Sequence, residues 1–249
     1  MTEDQLLAVL HDAASAAIEA TTLSGDYAMV DQGRGQHAAD VAADDAAVAV
    51  LVGAGLGVLS EESGRHHADR PVTAVLDPLD GSSNAARGLP WYATSVCAVD
   101  DEGPLAAVVV NQVSGTRYEA VRGGGARRDG EVITPSAVTE LGDAMVGLSG
   151  LPPGWLGWHQ FRALGAVALD LCAVAEGRFD GYLDCSPSAH GPWDYLGGML
   201  VCQEAGAVVE DAIGRDLVVL DHGARRTPIA AGTSALLAEA LAARRTFPV

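Results

Sequence analysis

The chain has 249 residues, 49% of them apolar and 19% charged, enough for a packed core in one large domain or two smaller ones. Its formal net charge is -18 and it contains no lysine, which argues against nucleic-acid binding and against docking on an anionic membrane. An acidic protein acting on a phosphorylated substrate has to invert its local potential, and bound divalent cations do that.

Thr2 is placed to cap a helix running to about Leu23, with Leu6, Leu10, Ala14 and Ile18 at helical spacing. Its first twenty residues are acidic and lack the apolar core of a signal peptide, and no run of 18 apolar residues is free of charge. A polar loop from Ser24 to about His37 precedes a second helix over Ala38–Ala54. "LGVLS" reads as a short strand, "EESGRHHADRP" as a loop and "VTAVLD" as a buried strand. "YATSVCAVD", "PLAAVVVNQ" and "GTRYEAVRG" follow as turn-separated strands. Asp129-Gly130 marks a hairpin, and "RGGGARRDG" lacks both the lysine and the strand-to-helix setting of a phosphate-cradling loop.

Beyond Pro135 the pattern changes, with a boundary expected between residues 135 and 143 that separates halves 1–138 and 139–249. "DAMVGLSG" is a strand, "GAVALDLCAVAEG" an apolar helix and "FDGYLD" a strand. "PWDYLGGMLVCQEAG" is a helix with Pro192 in its first turn and Gly206 past its end. "AVVED", "DLVVL" and "PIAAG" read as strands, and Thr233 caps a closing helix. Alternation of helices and strands through both halves implies layered α and β structure. Cys97, Cys172, Cys185 and Cys202 have no zinc or redox spacing. Reduced thiols in a cytoplasmic protein are expected.

Acidic residues recur where apolar segments end. Asp45 lies in the second helix, Glu61 and Glu62 follow "LGVLS", Asp77 and Asp80 follow "VTAVL", and Asp194 sits in the first turn of the "PWDYLGG" helix. Singly, each has an ordinary reading as a turn, a solvated face or a helix cap. Together they form a set of hard oxygen donors suited to Mg²⁺ or Mn²⁺. Gly81, Ser82 and Ser83 add unhindered N–H groups at a helix start, a setting that suits phosphate. Pro78 stiffens the loop between the aspartates, and the Leu79 carbonyl is available as a neutral ligand.

"DPLDGSSN" and "PWDYLGGMLVCQEAGAVVED" resemble, in this order, the two signatures of the inositol-monophosphatase-like family. "LSEES", "DVAADDAAV" and "FRALGAVALDLCAVAEGRFDGYLD" resemble further segments of it, so the resemblance runs from about Asp40 to the C-terminus. It implies an α+β fold, a layered α-β-α-β-α sandwich of the sugar phosphatase type, commonly homodimeric. It also implies a Mg²⁺-dependent, lithium-sensitive phosphomonoesterase using two or three ions. Glu61, Asp77 and the Leu79 carbonyl would hold the first ion, Asp77, Asp80 and Asp194 the second, and Glu61 with waters a third. Asp45 would hydrogen-bond the Ser82 hydroxyl, which with Glu61 would orient the attacking water. Gly81 and Ser82 would steady the phosphate, and Gly165, Ala166, Val167 and Asp184 would contact the rest of the substrate.

The expected partner is a small phosphorylated metabolite: inositol phosphate or a related polyol or sugar phosphate. Fructose-1,6-bisphosphate, histidinol phosphate and 3′-phosphoadenosine 5′-phosphate are alternatives within the family. A non-catalytic metal- or phosphate-binding relative is the alternative of a different class. Three departures bear on the substrate. Ser60 stands where the family usually has glycine. "LPPGWLGWHQ" replaces a helix with a short Pro-rich segment. "DQGRGQHAAD", with Arg34 and His37, replaces a lysine-rich loop. Asp184 stands where the family often has glutamate, and the run containing His190 is longer than expected.

Overall fold

The computed structural model describes residues 1–31, 36–186 and 190–247, so Arg34 lies outside the described residues. The first helix, α1 (Glu3–Ser24), opens on a capping box: Gln5 N donates to Thr2 Oγ1 and Thr2 N to Gln5 Oε1. A short antiparallel ribbon, β1 (Met29–Asp31) and β2 (Gln36–His37), occupies the stretch expected to be loop. Helix α2 (Ala38–Gly53) follows.

An eight-stranded sheet comes next. It comprises β3 (Gly57–Ser60), β4 (Gly64–His66), β5 (Thr73–Asp80), β6 (Ala93–Asp100), β7 (Gly103–Asn111), β8 (Arg117–Val121), β9 (Gly125–Arg128) and β10 (Glu131–Val132). Its order is β10-β9-β8-β7-β6-β5-β3-β4, and β3 and β5 run parallel. Strand β4 lies in "EESGRHHADRP", expected to be loop. A short helix, α3 (Ser82–Arg87), joins β5 to β6. Asp129 and Gly130 make the β9–β10 turn with φ of 50° and 87°, the positive pair that a two-residue hairpin favours.

The second sheet contains β11 (Met145–Ser149), β12 (Gln160–Arg162), β13 (Gly181–Asp184), β14 (Val208–Asp211) and β15 (Pro228–Ala231). Its order is β12-β11-β13-β15-β14. Helices α4 (Val167–Ala175), α5 (Pro192–Ala205) and α6 (Ser234–Arg244) accompany it. "DLVVL", expected to be a strand, is not one. Its Leu217 carbonyl accepts from Tyr195 Oη at 2.8 Å and its Leu220 carbonyl from Arg65 Nη1 at 3.0 Å, so side chains take the groups a ladder would need.

The layers follow from strand parity. Leu59, Val75, Cys97, Ala107 and Val109 face a core shared with α4 and α5, whereas Val58, Ala74, Leu76, Val96 and Val108 face α1 and α2. A sheet covered on both sides needs apolar residues at every position, and all eight residues of β5 are buried. Tyr182 and Ala230 close the α4–α5 layer from the second sheet, while Val146, Leu148, Leu183 and Ile229 pack against α6. The result is α-β-α-β-α. By length and composition α1 could cross a membrane, but its Leu6, Leu10, Ala13, Ala14 and Ala17 are buried in the α1–α2 core.

The Gly-Gly of "WDYLGG" sets the spacing of the central layer. A Cβ on Gly197 would lie 2.5 Å from Ser95 Oγ on β6, and one on Gly198 would lie 2.7 Å from Leu171 Cβ on α4. Helix α5 can therefore sit close to both neighbours, which brings its first turn to the C-terminal end of β5.

Candidate metal centre and active site

Strand β5 carries two of the predicted carboxylate ligands, and a bulge decides where they point. Side chains alternate along a strand, so residues three apart would face opposite sides. Asp77 pairs with Ser95 and Asp80 with Ala93, which leaves one extra residue on β5 over that interval. The extra residue restores parity and turns both carboxylates to one side. Pro78 has no N–H to leave unpaired at the bulge, and its carbonyl accepts from Thr94 Oγ1 at 3.1 Å and Gln112 Nε2 at 3.2 Å. Leu79 is buried and gives its N–H to Asp77 Oδ1 at 3.0 Å.

Glu61 arrives from the neighbouring parallel strand, its N–H bonded to the Leu76 carbonyl at 3.1 Å. Asp194 arrives from the first turn of α5, where its Oδ2 accepts from Gly191 N at 2.8 Å. Among the described residues, Glu61, Asp77 and Asp194 each offer a carboxylate oxygen, and these atoms lie within 4.8 Å of one another. Asp80 stands beside this trio, with Oδ2 accepting from Ala168 N at 2.8 Å.

The electrostatics follow from that crowding. Burial, then the charges of Asp194, Glu62, Asp80 and Asp40, hold Glu61 well above the usual carboxylate range. Burial, then Glu61, Asp80 and Asp194, raises Asp77 likewise, against the Leu79 N–H. Burial and Asp194 push Asp80 up to about 7 although the Ala168 N–H opposes them. Carboxylates this close and this dry repel one another until a cation or protons neutralise them. The donors are all carboxylate oxygens, with no sulfur or imidazole in the trio, so the set fits a hard divalent ion.

The backbone of the predicted phosphate loop meets the predicted substrate loop. Gly81 has φ 84°, and a Cβ there would lie 3.1 Å from the Trp91 carbonyl and 3.2 Å from both the Gly165 carbonyl and Ala166 Cβ. Only glycine fits that conformation and that gap. Ser82, half-buried, begins α3. Asn84, which the sequence reading passed over, locks the two loops together: its Nδ2 donates to the Trp91 and Leu164 carbonyls, both at 2.7 Å. With Ala168 N on Asp80 and Asp194 in the first turn of α5, helix N-termini gather around the carboxylates.

Asp45 is not part of this arrangement. It lies on the exposed face of α2. The acidic side chains of α2 that turn inward are Asp40 and Asp44. Asp40 Oδ2 accepts from His37 N at 2.7 Å, while Oδ1 is buried without a hydrogen-bond partner, and its charge is among those acting on Glu61. Asp44 accepts from the hydroxyl of Ser60, so the serine found in place of glycine joins β3 to α2. Glu62 accepts from Gln36 Nε2.

Asp184 is fully buried at the end of β13. Its Oδ1 accepts from Ser186 N at 2.8 Å and from the Ser186 hydroxyl, and its Oδ2 has no hydrogen-bond partner. His190 lies between carboxylates: Nε2 is 3.5 Å from Asp184 Oδ2 and 3.2 Å from Ser149 Oγ, and Nδ1 is 3.3 Å from Asp194 Oδ2. Burial opposes its protonation, but these carboxylates prevail and push its pKa up to about 10. The aromatic residues of "LPPGWLGWHQ" gather beside β11 and β12. Trp158 packs into the α6-side core, and with Leu151, Pro152, Trp155 and Phe161 it lines an apolar hollow of about 300 Å³.

A model of the inositol monophosphatase family matches residues 4–247. The chain belongs to this family. It is therefore a phosphomonoesterase of a family of metal-dependent phosphatases, and the acidic cluster is a possible metal site. Inositol-1-monophosphatase of Mesorhizobium japonicum is 34% identical over 251 aligned positions that span 90% of this chain and 91% of that one. Fructose-1,6-bisphosphatase/inositol-1-monophosphatase of Thermococcus kodakarensis is 34% identical over 197 residues, covering 77% and 75%. The crystal structure of the extragenic suppressor protein suhB from Bartonella henselae superimposes with a TM-score of 0.84 at 25% identity, covering 97% of this chain and 98% of that one.

Proposed function

We propose that the chain is a Mg²⁺-dependent phosphatase of inositol monophosphate or a related polyol or sugar phosphate. The observation that carries this reading is the trio Glu61, Asp77 and Asp194, buried or half-buried, mutually repelling and set among helix N-termini. With Asp80 and the Leu79 carbonyl, the trio would hold two or three ions, Mg²⁺ or Mn²⁺. When bound, such ions lower the pKa of water and neutralise charge on the phosphoryl and leaving oxygens.

The protein's own groups divide the remaining work. The N–H groups of Gly81 and Ser82 hold phosphate oxygens, and Gly165 and Ala166 wall the same corner. Glu61 and Asp40 orient the attacking water and accept its proton, with the Ser82 hydroxyl beside them. Asp40 takes the place assigned to Asp45 on sequence, because its unpartnered Oδ1 faces the buried side. Asp184 Oδ2, which makes no hydrogen bond and stands 3.5 Å from His190 Nε2, keeps capacity to accept a hydroxyl of the departing alcohol.

A dual activity is a second reading, since the Thermococcus kodakarensis relative carries both names. Phosphate release measured over a panel including myo-inositol 1-phosphate and fructose 1,6-bisphosphate tests both. Release from the inositol ester with Mg²⁺ and none in chelator is the expected result. Equal release in chelator overturns the metal assignment. We extend the reading to a cytoplasmic homodimer inhibited by lithium, with assays of mass in solution and of turnover in lithium as the checks.

A further inference from the structure

Arg244, the last residue of α6, is fully buried. Its guanidinium reaches back 60 residues to the end of β13: Nε donates to the Asp184 carbonyl at 2.6 Å and Nη2 to the Ser186 carbonyl at 3.1 Å. Nη1 donates to the Phe247 carbonyl at 3.1 Å, and the guanidinium lies 4.2 Å over the Phe247 ring. Holding a charged group out of water is costly unless its hydrogen bonds are made. Those made here grip the backbone on both sides of Cys185.

That backbone carries Asp184, whose carboxylate is also fully buried. Its Oδ1 is oriented by Ser186, through the N–H at 2.8 Å and the hydroxyl. Arg244 thus fixes the backbone of Asp184 and of Ser186, while His190 Nε2 stands 3.5 Å from Oδ2 itself, and the guanidinium adds a second positive charge near a carboxylate with little water to stabilise it. A planar fork holding two carbonyls is a geometry that lysine, a point donor on a flexible stem, does not reproduce.

We infer that Arg244 is a positioning residue for recognition of the leaving alcohol, acting through Asp184. The inference rests on the reading of Asp184 as the hydroxyl acceptor. The phosphate-holding backbone of Gly81 and the trio of carboxylates lie on other elements and connect to Asp184 through His190, so the loss of Arg244 falls first on binding and only indirectly on the chemical step. Loss of the fork raises KM for a hydroxyl-rich ester and leaves kcat nearly unchanged.

The test compares R244K, D184A and the double variant on two substrates. One is the polyol ester that the wild-type protein hydrolyses best; the other is p-nitrophenyl phosphate, whose alcohol has no further hydroxyl. R244K is expected to raise KM for the polyol ester on the order of 10-fold, with kcat within about 3-fold and little change for p-nitrophenyl phosphate. In the D184A background R244K should add nothing further, because the group it positions is gone. L237A, buried in the same helix, lowers Tm and is expected to leave KM alone.

If D184A raises the polyol KM and R244K does not, the inference fails and the reading of Asp184 stands. An equal KM rise for both substrates also overturns the inference, since it signals general disorder of the site. If D184A leaves KM unchanged, the reading of Asp184 fails and the inference with it. Should R244K not accumulate as folded protein, F247A, which removes the ring beneath the guanidinium, carries the same comparison.

Discussion

Asp40 and Asp45 stand five positions apart on α2 and on different faces of it: Asp40 is 2% exposed at the helix start, and Asp45 looks to solvent. The difference predicts opposite results from one kind of substitution. D40N should lower kcat/KM by ~10²–10⁴-fold, the range of a lost general base. D45N should stay within about twofold of wild type. Steady-state phosphate release decides it, and the reverse order would restore the assignment made on sequence.

Asp194 is held in the first turn of α5 by Gly191 N and contributes an oxygen to the acidic trio. D194N keeps the size and the cap acceptor but removes the charge. Loss of Lewis-acid support worth several kcal/mol corresponds to at least ~10³-fold in Mg²⁺-dependent turnover. Circular dichroism should be unchanged. Full turnover in D194N would show that this carboxylate is not a ligand.

The crowded carboxylates around the trio also bear on stability without metal. Glu61, Asp77 and Asp80 titrate above their unfolded values, Asp80 at about 7. The folded chain then binds more protons than the unfolded chain between pH ~4 and 7. These groups cost no stability below the unfolded pKa, and the cost grows as pH rises to the folded pKa and then levels off. For Asp80 alone it is about 4 kcal/mol, on the order of 10 °C in Tm for a chain of this size. Thermal melts in chelator should therefore fall from pH 5 to pH 8. Mg²⁺ should raise Tm, and raise it most at the alkaline end. A melt in chelator that rises over that range would contradict the crowding.

The carboxylates in Asp-Pro-Leu-Asp-Gly and Trp-Asp were legible because proline, glycine and tight spacing leave those segments few conformations. The phase of α2 was not. In "AADVAADDAAVAV" every position is alanine, valine or aspartate, so the apolar stripe that would orient the helix is faint. Packing of Ala39, Ala43, Ala47 and Leu51 fixes the phase and carries Asp40 and Asp44 inward. Layered structure could be read from helices alternating with apolar strands, and the order α-β-α-β-α from the family resemblance. "DLVVL" has the same composition, but Tyr195 and Arg65 take its carbonyls, a contact no local pattern records. Arg244 was equally silent, since its partners at the end of β13 lie 58 to 60 residues away.

The spacing of the central layer yields a prediction about sign. Gly197 lies inside α5, where alanine would ordinarily stabilise a helix by roughly 0.5–1 kcal/mol. Its missing Cβ would meet Ser95 Oγ at 2.5 Å, with Val109 Cγ2 next at 3.2 Å and Ser95 Cβ at 3.7 Å. G197A should therefore destabilise by about 1–3 kcal/mol, the usual cost of overpacking, because β6 and α5 are each held by further neighbours. Ser95 Oγ is buried without a hydrogen-bond partner, so S95A alone should cost little. With that oxygen gone, the new methyl faces Ser95 Cβ at ordinary contact distance. The double variant should recover most of the loss, leaving a coupling of at least ~1 kcal/mol between two residues 102 positions apart in sequence. Urea titrations of the four proteins measure it. Strict additivity would mean that oxygen–methyl overlap is not what keeps Gly197 a glycine, and that Val109 or the helix backbone sets the limit.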